Sequence, residues 1–471
     1  MTAASPETTA KEIVARLQRA GFAAFWVGGC VRDFLLGRVA HDFDIATDAR
    51  PEQVEQLFRK TIPVGKKFGV VIVVEGGRQF QVATFRAEAD YQDGRRPETV
   101  VFANAEADAS RRDFTVNGLF YDPLTKKIHD WVGGEKDLRA KIIRTIGPPE
   151  ERFGEDHLRM LRAVRFAAQL NFAIEPTTLA AIQSLAPKIK VISAERVRDE
   201  LIKLFAPPAA GFSLSSPQPA PRLGGAREIT GGADSFYSSA ARGLVLLRDS
   251  GLLEHILPEV AATIQCEQSP DFHPEGSVFN HLCLMLENLP AGAGESLPWA
   301  VLLHDIAKPV TAERDAATGR IHFYGHEKVG AEMAETILSR LRFPNKPAEA
   351  IVACVRYHMQ FKDVMQMRKA TLRRLLLRET FPLELELHRL DCLGSHGGLE
   401  YYDFLVQQAE ALKHQPALRP PLLTGDDLMA LGVPPGKALG ALLAEIRELQ
   451  LSDELAAPDQ ARAWVKKKLA G

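Results

Sequence analysis

The chain has 471 residues, of which 46% are apolar and 25% are charged, with a formal net charge of −2. This length exceeds one compact core and predicts about two to four domains. The near-neutral charge excludes a globally basic nucleic-acid binder and leaves only local basic patches. Five dispersed cysteines without C-x-x-C spacing favour buried thiols in a reducing cytosol over disulfides or a zinc ribbon. The first residues lack a signal-peptide-like apolar segment and no apolar run is long enough to span a membrane, so we expect a cytoplasmic protein without membrane contact.

The first 145 residues or so read as a small α/β domain with an open face. A helix over residues 10–20 precedes the strand-like "FAAFWV", a Gly28-Gly29 turn, a helix through Leu36 and the strand "DFDIAT". Pro51 opens the next helix, a favoured first-turn position. The runs "GVVIVVE" and "QFQVATF", joined by a Gly-Gly pair, predict a hairpin.

The pattern then becomes helical and stays helical to the end of the chain. The hydrophobic pattern predicts an α/β domain over 1–146 and three helical segments, over 147–206, 236–411 and 412–471. Residues 207–235 are rich in Pro, Gly and Ser, and we interpret them as a flexible insertion.

The stretch "HDFDIAT" places two acids, Asp42 and Asp44, on one face of a predicted strand. Residues i and i+2 of a strand are roughly 6.5–7 Å apart, so the two carboxylates repel unless something neutralises them. Taken alone, they fit a solvated strand end. The Gly28-Gly29 turn before a helix is suited to phosphate, and Arg32 can fork onto a phosphate. A phosphate cradle followed by an acidic pair that could hold metal ions indicates nucleotidyl transfer.

Several long motifs carry a resemblance to a known family. "GGCVRDFLLGRVAHDFDIAT", "ATFRAEADYQDGRRPETV", "SRRDFTVNGLFYDP", "EDHLRMLRAVRFAAQL" and "ISAERVRDELIKLF" occur in the order typical of the bacterial-type (class II) tRNA nucleotidyltransferase and poly(A) polymerase family. The resemblance implies an α+β chain with a polymerase-β-like head over 1–146, then an all-helical neck, body and tail, the tail binding tRNA.

By the same resemblance, Asp42 and Asp44 are the catalytic ligands of Mg²⁺, and "DGRRP" is a mobile loop that organises the site. The resemblance also implies a set of nucleotide-binding residues: Gly28, Gly29, Arg32, Asp33, Arg111, Arg112, Asp113, Asp156, Arg159, Arg162 and Arg165. One position departs from the family, because Gln81 stands where a third carboxylate is common. An amide brings no charge, which weakens the expected second metal site.

Asp156 and Arg159 are three residues apart on a predicted helix and would share a face. Asp accepts hydrogen bonds and Arg donates them, whereas cytosine and adenine both present an amine donor beside a ring-nitrogen acceptor. Uracil and guanine present the reverse pattern, so one Asp/Arg pair can select C and A without a nucleic-acid template. An ordinary i,i+3 surface ion pair is the alternative.

Histidines and aspartates also recur on separate helices of the second half. "HPEGSVFNH" and "LLHDIAKP" resemble the HD phosphohydrolase domain, which binds a divalent metal through imidazoles and carboxylates. The expected ligands are His281, His304, Asp305, His326, His358 and Asp391. An active domain would hydrolyse phosphoesters, for example 2′,3′-cyclic phosphates at RNA ends, although such domains also persist as scaffolds.

We therefore expect a CCA-adding tRNA nucleotidyltransferase with Mg²⁺ at the head, tRNA, CTP and ATP as ligands, and no obligate protein partner. Three alternatives stay open. They are a poly(A) polymerase of the same fold, an enzyme that adds only A, and an HD phosphohydrolase whose N-terminal half binds RNA.

Overall fold

The structure is a computed structural model that describes residues 5–40, 42–63, 65–87, 101–207, 238–269, 273–414 and 420–470. These residues divide into two compact units. The first comprises the described residues up to 206 together with 238–261, and the second comprises those from 262 onward.

The first unit contains a seven-stranded sheet with the strand order β3-β4-β5-β2-β1-β8-β9. The strands of the described residues are β1 (Ala24–Val27), β2 (Asp44–Thr47), β3 (Thr61–Ile62), β4 (Val70–Glu75), β5 (Arg78–Thr84), β6 (Arg86–Ala87), β7 (Val101–Phe102), β8 (Phe120–Asp122), β9 (Lys127–His129), β10 (Ile142–Ile143), β11 (Ala173–Ile174), β12 (Glu313–Arg314) and β13 (Ile321–His322). The predicted hairpin is confirmed, because Glu75 pairs with Arg78 across Gly76 and Gly77, which both adopt positive φ.

Helices cover the sheet and continue beyond it in the first unit. They are α1 (Pro6–Arg19), α2 (Gly29–Leu35), α3 (Pro51–Leu57), α4 (Ala105–Ser110), α5 (Gly134–Ala140), α6 (Pro149–Glu155), α7 (Leu158–Leu170), α8 (Pro176–Leu185), α9 (Ala194–Phe205), α10 (Ser239–Asp249), α11 (Leu252–Ile256) and α12 (Pro258–Ala262). Pro51 is the first residue of α3, as predicted.

In the residues that the structure describes, the second unit consists of helices, the short β12–β13 hairpin and connecting segments. Its helices are α13 (Val278–Glu287), α14 (Ser296–Leu303), α15 (Lys308–Thr311), α16 (His326–Arg340), α17 (Asn345–Tyr357), α18 (Lys369–Leu376), α19 (Phe381–Gly394), α20 (Glu400–Lys413), α21 (Gly425–Ala430), α22 (Lys437–Leu451) and α23 (Pro458–Ala470). An α/β N-terminal part followed by helices confirms the expected fold class. In the described part of the chain, no helix has the length and apolar character needed to cross a membrane.

The helices α10 and α11 follow the predicted insertion in sequence but belong to the first unit, where α10 packs on α7 and α9. Among the described residues, the second compact unit thus begins at 262 after the insertion, and the domain boundary at 236 stays a prediction. Most of the predicted insertion, from 208 to 235, lies outside the described residues.

Buried ion pairs connect α7 to the segment before β8 and to α9. Arg162 forks onto Asp113 Oδ2 at 2.7 and 3.0 Å, and Arg165 Nε donates to Glu200 Oε2 at 2.5 Å. Burial opposes ionisation of Asp113, yet Arg162 and a hydrogen bond from Asn117 hold the pKa of its carboxyl below the usual range. These contacts join residues 35 to 49 positions apart and fix the orientation of α7.

Gly243 in α10 lies against a fully buried neighbour, and we expect Gly243→Ala to destabilise the first unit. A Cβ there would approach Leu204 Cδ1 to 2.6 Å and Cγ to 2.8 Å, and the resulting overpacking costs about 1–3 kcal/mol. Amide hydrogen exchange measured by mass spectrometry would show faster exchange in α9 and α10. Gly440→Ala is the control, because no atom lies within 4 Å of its added Cβ and the helix gains up to about 1 kcal/mol. Unchanged exchange in α9 and α10 of Gly243→Ala would contradict the packing.

We expect Asp113→Asn to lower the free energy of unfolding of the first unit by about 1–3 kcal/mol at pH 7. The folded-state pKa lies below the 3.8 of an ordinary aspartate, so the carboxylate stabilises the fold above pH 3.8 and this contribution is lost as the pH falls through the folded pKa. The gap between wild type and variant should therefore shrink in acid, as measured by urea unfolding. Asp199→Asn, at an exposed site on α9, should change stability by less than about 0.5 kcal/mol. A difference in the free energy of unfolding between wild type and Asp113→Asn that does not change with pH would contradict the ion pair.

Candidate functional site

Three strands of the sheet bring their polar residues to one pocket. The antiparallel pairing of β1 with β2 sets Asp44 opposite Val27, the residue before Gly28. The parallel pairing of β2 with β5 sets Ile45 opposite Val82, so Gln81 lies at the level of Asp44. The pocket has a volume of about 420 Å³, and Gly28, Asp44 and Gln81 all line it.

Asp42 and Asp44 differ in backbone conformation. β2 begins at Asp44, and Asp42 lies in irregular backbone before it, so the prediction that both acids sit on one strand is wrong. The expected common face is still present, because Phe43 and Ile45 are buried while Asp42 and Asp44 are exposed.

The charges around Asp44 suit a bound cation. Asp44 is exposed by surface area, but the protein atoms around its carboxyl partly desolvate it and raise its pKa; nearby Arg112 lowers this pKa, and the charge of Asp42 raises it. Two neighbouring carboxylates supply the oxygen donors that Mg²⁺ prefers. Gln81 adds a neutral amide beside them.

Two features require a glycine at position 28: its positive φ and the close approach of the Arg112 side chain. It has φ 73°, and a Cβ on it would lie 3.0 Å from Arg112 Nη1. Helix α2 begins at the next residue, so its first N–H groups lie at the pocket. A side chain at residue 28 would displace the guanidinium that approaches this turn.

Arg111 and Arg112 share one buried anchor, Asp108, which the sequence analysis missed. Asp108 is 1% exposed, and its Oδ1 accepts from Arg111 Nε at 2.9 Å while its Oδ2 accepts from Arg112 Nη2 at 3.1 Å. The i,i+3 and i,i+4 spacing of "DASRR" is the signal that predicts these pairs. Among the described residues, the buried Nε of Arg112 has no hydrogen-bond partner, which leaves one donor for an anion.

Arg32 is also held in place by its neighbours. Its Nη1 donates to Asn117 Oδ1 at 2.8 Å, and its Nε and Nη2 donate to Asp33 at 2.9 and 3.1 Å. Arg32 lines the pocket, whereas the contacts of Asp33 are to Arg32. Asn117, which the sequence analysis missed, also donates to Asp113 and so links Arg32 to the ion pair of α7.

Asp156 and Arg159 both line the pocket, but not as a pair on one helix. Asp156 lies in extended backbone between α6 and α7, so the predicted i,i+3 helical face is wrong. Its Oδ1 accepts from the N–H of Leu158 at 3.1 Å, and its Oδ2 accepts from Arg196 at 2.6 Å. Arg159 pairs with Glu155.

Of the last two predicted arginines, Arg162 lines the pocket and Arg165 does not. Arg162 lines the pocket together with Phe166 and Asp113. Arg165 lies over the Phe166 ring at 4.0 Å, pairs with Glu200 and donates to Gln169 Oε1 at 3.0 Å, and it is not among the residues that line the pocket. The predicted loop "DGRRP", residues 93–97, lies outside the described residues.

The second unit contains a separate cluster centred on Asp305. His304, His326 and His358 each donate Nδ1–H to the carbonyl three residues earlier, at 2.7 to 2.8 Å. Their Nε2 atoms lie 3.1 to 3.7 Å from the Asp305 carboxylate. Backbone acceptors that fix the tautomer and leave Nε2 free are typical of metal-binding histidines.

His281 extends this cluster towards a second acid. Its ligand atoms fall within 4.8 Å of those of His304 and Asp305, and also of those of His273 and Glu275. Burial lowers the pKa of His281, but Asp391 and Glu275 raise it to about 9. Asp391 accepts from His281 Nε2 at 3.0 Å. The structure thus brings together all the predicted residues, and adds Glu275 and His273 from the "HPEG" stretch.

Comparison with known families matches three regions of the chain. Residues 24–144 match the "Poly A polymerase head domain", residues 171–215 match the "Probable RNA and SrmB- binding site of polymerase A", and residues 278–393 match the "HD domain". The first region contains Asp42, Asp44 and the arginines anchored by Asp108. The third contains the Asp305 cluster.

Among characterised proteins, a CCA-adding enzyme of Lactobacillus helveticus is 48% identical over 196 residues, which are 41% of this chain and 49% of the relative. The matching stretch spans about half the length of the curated relatives. A Bacillus stearothermophilus CCA-adding enzyme, solved in complex with CTP, matches with a TM-score of 0.68 and 26% identity over 99% of this chain and 98% of that one.

A Thermotoga maritima CCA-adding enzyme complexed with tRNA shares the fold, with a TM-score of 0.52 and 17% identity over 99% of this chain and 97% of that one. The chain is thus similar to CCA-adding enzymes over 41–44% of its length, and its residues 24–144 and 278–393 match the poly(A) polymerase head domain and the HD domain.

Proposed function

We propose that the chain adds C, C and A to the 3′ end of tRNA from CTP and ATP, without a nucleic-acid template, and releases pyrophosphate. The observation that carries this proposal is the register of β1 and β2, which sets Asp44 beside the Gly28 turn in an arginine-lined pocket. The relatives named above are CCA-adding enzymes, which supports the choice of substrate.

Asp42 and Asp44 would hold Mg²⁺, which supplies activation of the attacking hydroxyl and neutralisation of the leaving pyrophosphate. The oxygen of the tRNA 3′-hydroxyl would attack the α-phosphorus in line and lose its proton to water, while the bond from this phosphorus to the oxygen that bridges the α- and β-phosphorus atoms breaks and pyrophosphate leaves. The N–H groups at the start of α2 and the free Nε of Arg112 donate to triphosphate oxygens. Gln81 contributes no charge, so we expect a second ion to be held more weakly than the first.

Base choice would come from Asp156 and Arg159. Arg159 donates and Asp156 accepts, a pattern that suits the edges of C and A and leaves polar groups unpaired against U and G. Because Asp156 is bonded to Arg196 and Arg159 to Glu155, an incoming base shares or replaces these contacts. We expect the helical neck, body and tail to bind tRNA phosphates, so that binding weakens with salt.

A primer-extension assay distinguishes this function from its alternatives. The protein is incubated with Mg²⁺, each labelled NTP singly, and tRNA transcripts that end before the first C, before the final A, or after the complete CCA. We expect CTP incorporation on the first transcript and a single ATP on the second. Long A tails would indicate a poly(A) polymerase, and incorporation of ATP alone would indicate an enzyme that adds only A. The absence of any transfer would favour an HD phosphohydrolase whose N-terminal half binds RNA.

We expect Asp42→Ala and Asp44→Ala each to reduce nucleotide transfer by at least about 10³-fold, because they remove the acids proposed to bind metal. tRNA affinity, measured by filter binding, should stay nearly unchanged. Asp48→Ala removes an exposed acid just after β2 and should retain wild-type turnover. Wild-type turnover by either of the first two variants would disprove the metal assignment.

The Asp305 cluster supports a second candidate function, a metal-dependent phosphohydrolase. The carrying observation is the three histidines whose Nδ1 atoms are fixed by backbone carbonyls and whose Nε2 atoms point to Asp305. His304, Asp305, His326 and His358 would hold one divalent ion, which supplies an activated water. A phosphoester such as an RNA 2′,3′-cyclic phosphate would be the substrate.

We expect the full chain to retain one Mn²⁺ ion after dialysis without nucleotide, as counted by mass spectrometry. His326→Gln and Asp305→Asn should each lower its affinity by about 10–100-fold or more, while tRNA extension by the head persists. Asp315→Ala, in an exposed turn, is the control and should bind the ion normally. Full metal retention by both cluster variants would contradict the site.

A further inference from the structure

Asp108 on α4 is a buried acid that contacts three of the arginine residues that line the head pocket. It is 1% exposed and is not itself among the lining residues. Its Oδ1 accepts from Arg111 Nε at 2.9 Å and from the backbone N–H of Arg86 at 3.3 Å, and its Oδ2 accepts from Arg112 Nη2 at 3.1 Å. Both carboxylate oxygens are therefore occupied by arginine residues, and a ligand in the pocket would contact the arginines rather than Asp108.

The Asp108 carboxylate joins the end of α4 to the neighbouring strand β6. The N–H of Arg86, which it accepts, belongs to the backbone of β6, and the carbonyl of Arg86 accepts from Arg111 Nε at 3.0 Å. Arg111 directly follows the last residue of α4. These bonds fix the place from which the Arg111 and Arg112 side chains extend into the pocket.

The charges of this group leave a binding capacity for an anion. In the described part of the chain, Asp108 is the one acid that forms an ion pair with Arg111 or Arg112. Burial lowers the pKa of the Arg111 guanidinium, Asp108 raises it, and the charges of Arg86 and Arg112 lower it. Two guanidinium groups thus share one carboxylate, and a bound anion would supply the missing negative charge.

Arg112 connects Asp108 to the turn at Gly28. Its Nη2 donates to Asp108, while its Nη1 lies 3.0 Å from the position that a Cβ on Gly28 would take. The guanidinium also lies over the Phe120 ring, 5.1 Å from the centroid. Because a guanidinium is a rigid plane, the bond to Asp108 at one edge sets the direction of the remaining N–H groups. One of these, the buried Nε, has no hydrogen-bond partner among the described residues.

We propose that Asp108 is a positioning residue for the triphosphate of the nucleotide: it holds Arg111 and Arg112 as a fixed pair of guanidinium groups on which the phosphates bind. That the ligand is a nucleoside triphosphate rests on the proposed function, whereas the dependence of phosphate binding on Asp108 does not. The alternative is a pair of ion pairs that only stabilise α4, which would leave phosphate binding unchanged.

The proposal is tested by the affinity of the full chain for CTP relative to CMP, measured by calorimetry with Mg²⁺ and without tRNA. Asp108→Asn keeps the size of the side chain but removes its charge and turns a donor towards one of the two arginines. We expect the ratio of CTP to CMP affinity to fall at least about 10-fold, while the affinity for CMP changes by less than about 2-fold. Glu106→Gln removes an exposed acid from the same helix and should keep the wild-type ratio.

A merely structural role of Asp108 gives a different result. Retention of the wild-type ratio by Asp108→Asn, or equal losses of affinity for CTP and CMP, would overturn the proposal. If circular dichroism shows that Asp108→Asn does not fold, Arg112→Lys decides instead. Lysine keeps the positive charge but lacks the planar fork that bonds Asp108 and reaches the Gly28 turn together, so the ratio should fall by a similar factor. A wild-type ratio in Arg112→Lys would then overturn the proposal.

The primer-extension assay separates this inference from the proposed function. If the wild type adds no nucleotide to tRNA but its preference for CTP over CMP depends on Asp108, the positioning role stands and the proposed function fails. If the wild type adds C, C and A while Asp108→Asn keeps the full preference for CTP, the proposed function stands and the positioning role fails.

Discussion

The pairing of Asp44 with Val27 across β1 and β2 is the constraint on which the candidate site of the head depends. A shift of one residue in this register would turn Asp44 into the core and expose Ile45, because side chains alternate along a strand. It would also separate the acids from the Gly28 turn. The buried Phe43 and Ile45 on either side of Asp44 therefore fix the position of the chemistry by fixing the packing.

The candidate site of the head also requires that the fold hold several guanidinium groups around one pocket. Five of the six arginines that line the pocket have a carboxylate partner, and Arg86 donates to the backbone carbonyl of Phe68, so the fold tolerates the concentrated positive charge before any nucleotide binds. Asp108 holds two arginines, Asp113 holds Arg162, and Glu155 pairs with Arg159. Such partners also fix the side-chain rotamers, which lowers the entropy lost when a triphosphate binds.

Local sequence patterns predicted the parts of the fold and site that depend on neighbours in the chain. The strand, glycine turn and helix around Gly28, the Gly76-Gly77 hairpin and the start of α3 at Pro51 follow from turn chemistry and hydrophobic alternation. The sequence did not predict the break at Asp156, because "EDHLRMLRAV" has a continuous helical pattern and the break is stabilised by Arg196, 40 residues away. The pairs of Arg162 with Asp113 and of Arg165 with Glu200 join distant residues and needed the tertiary structure.

The reactions proposed for the head and for the Asp305 cluster differ, and the central proposal concerns the head: one pocket would select C and A by the edge of the base. The most direct measurement is the ratio of kcat/KM for CTP over UTP on a tRNA that lacks its CCA end. The account predicts a ratio on the order of 10⁴ or higher, because uracil would set an acceptor against Asp156 and a donor against Arg159. A ratio near one would contradict it.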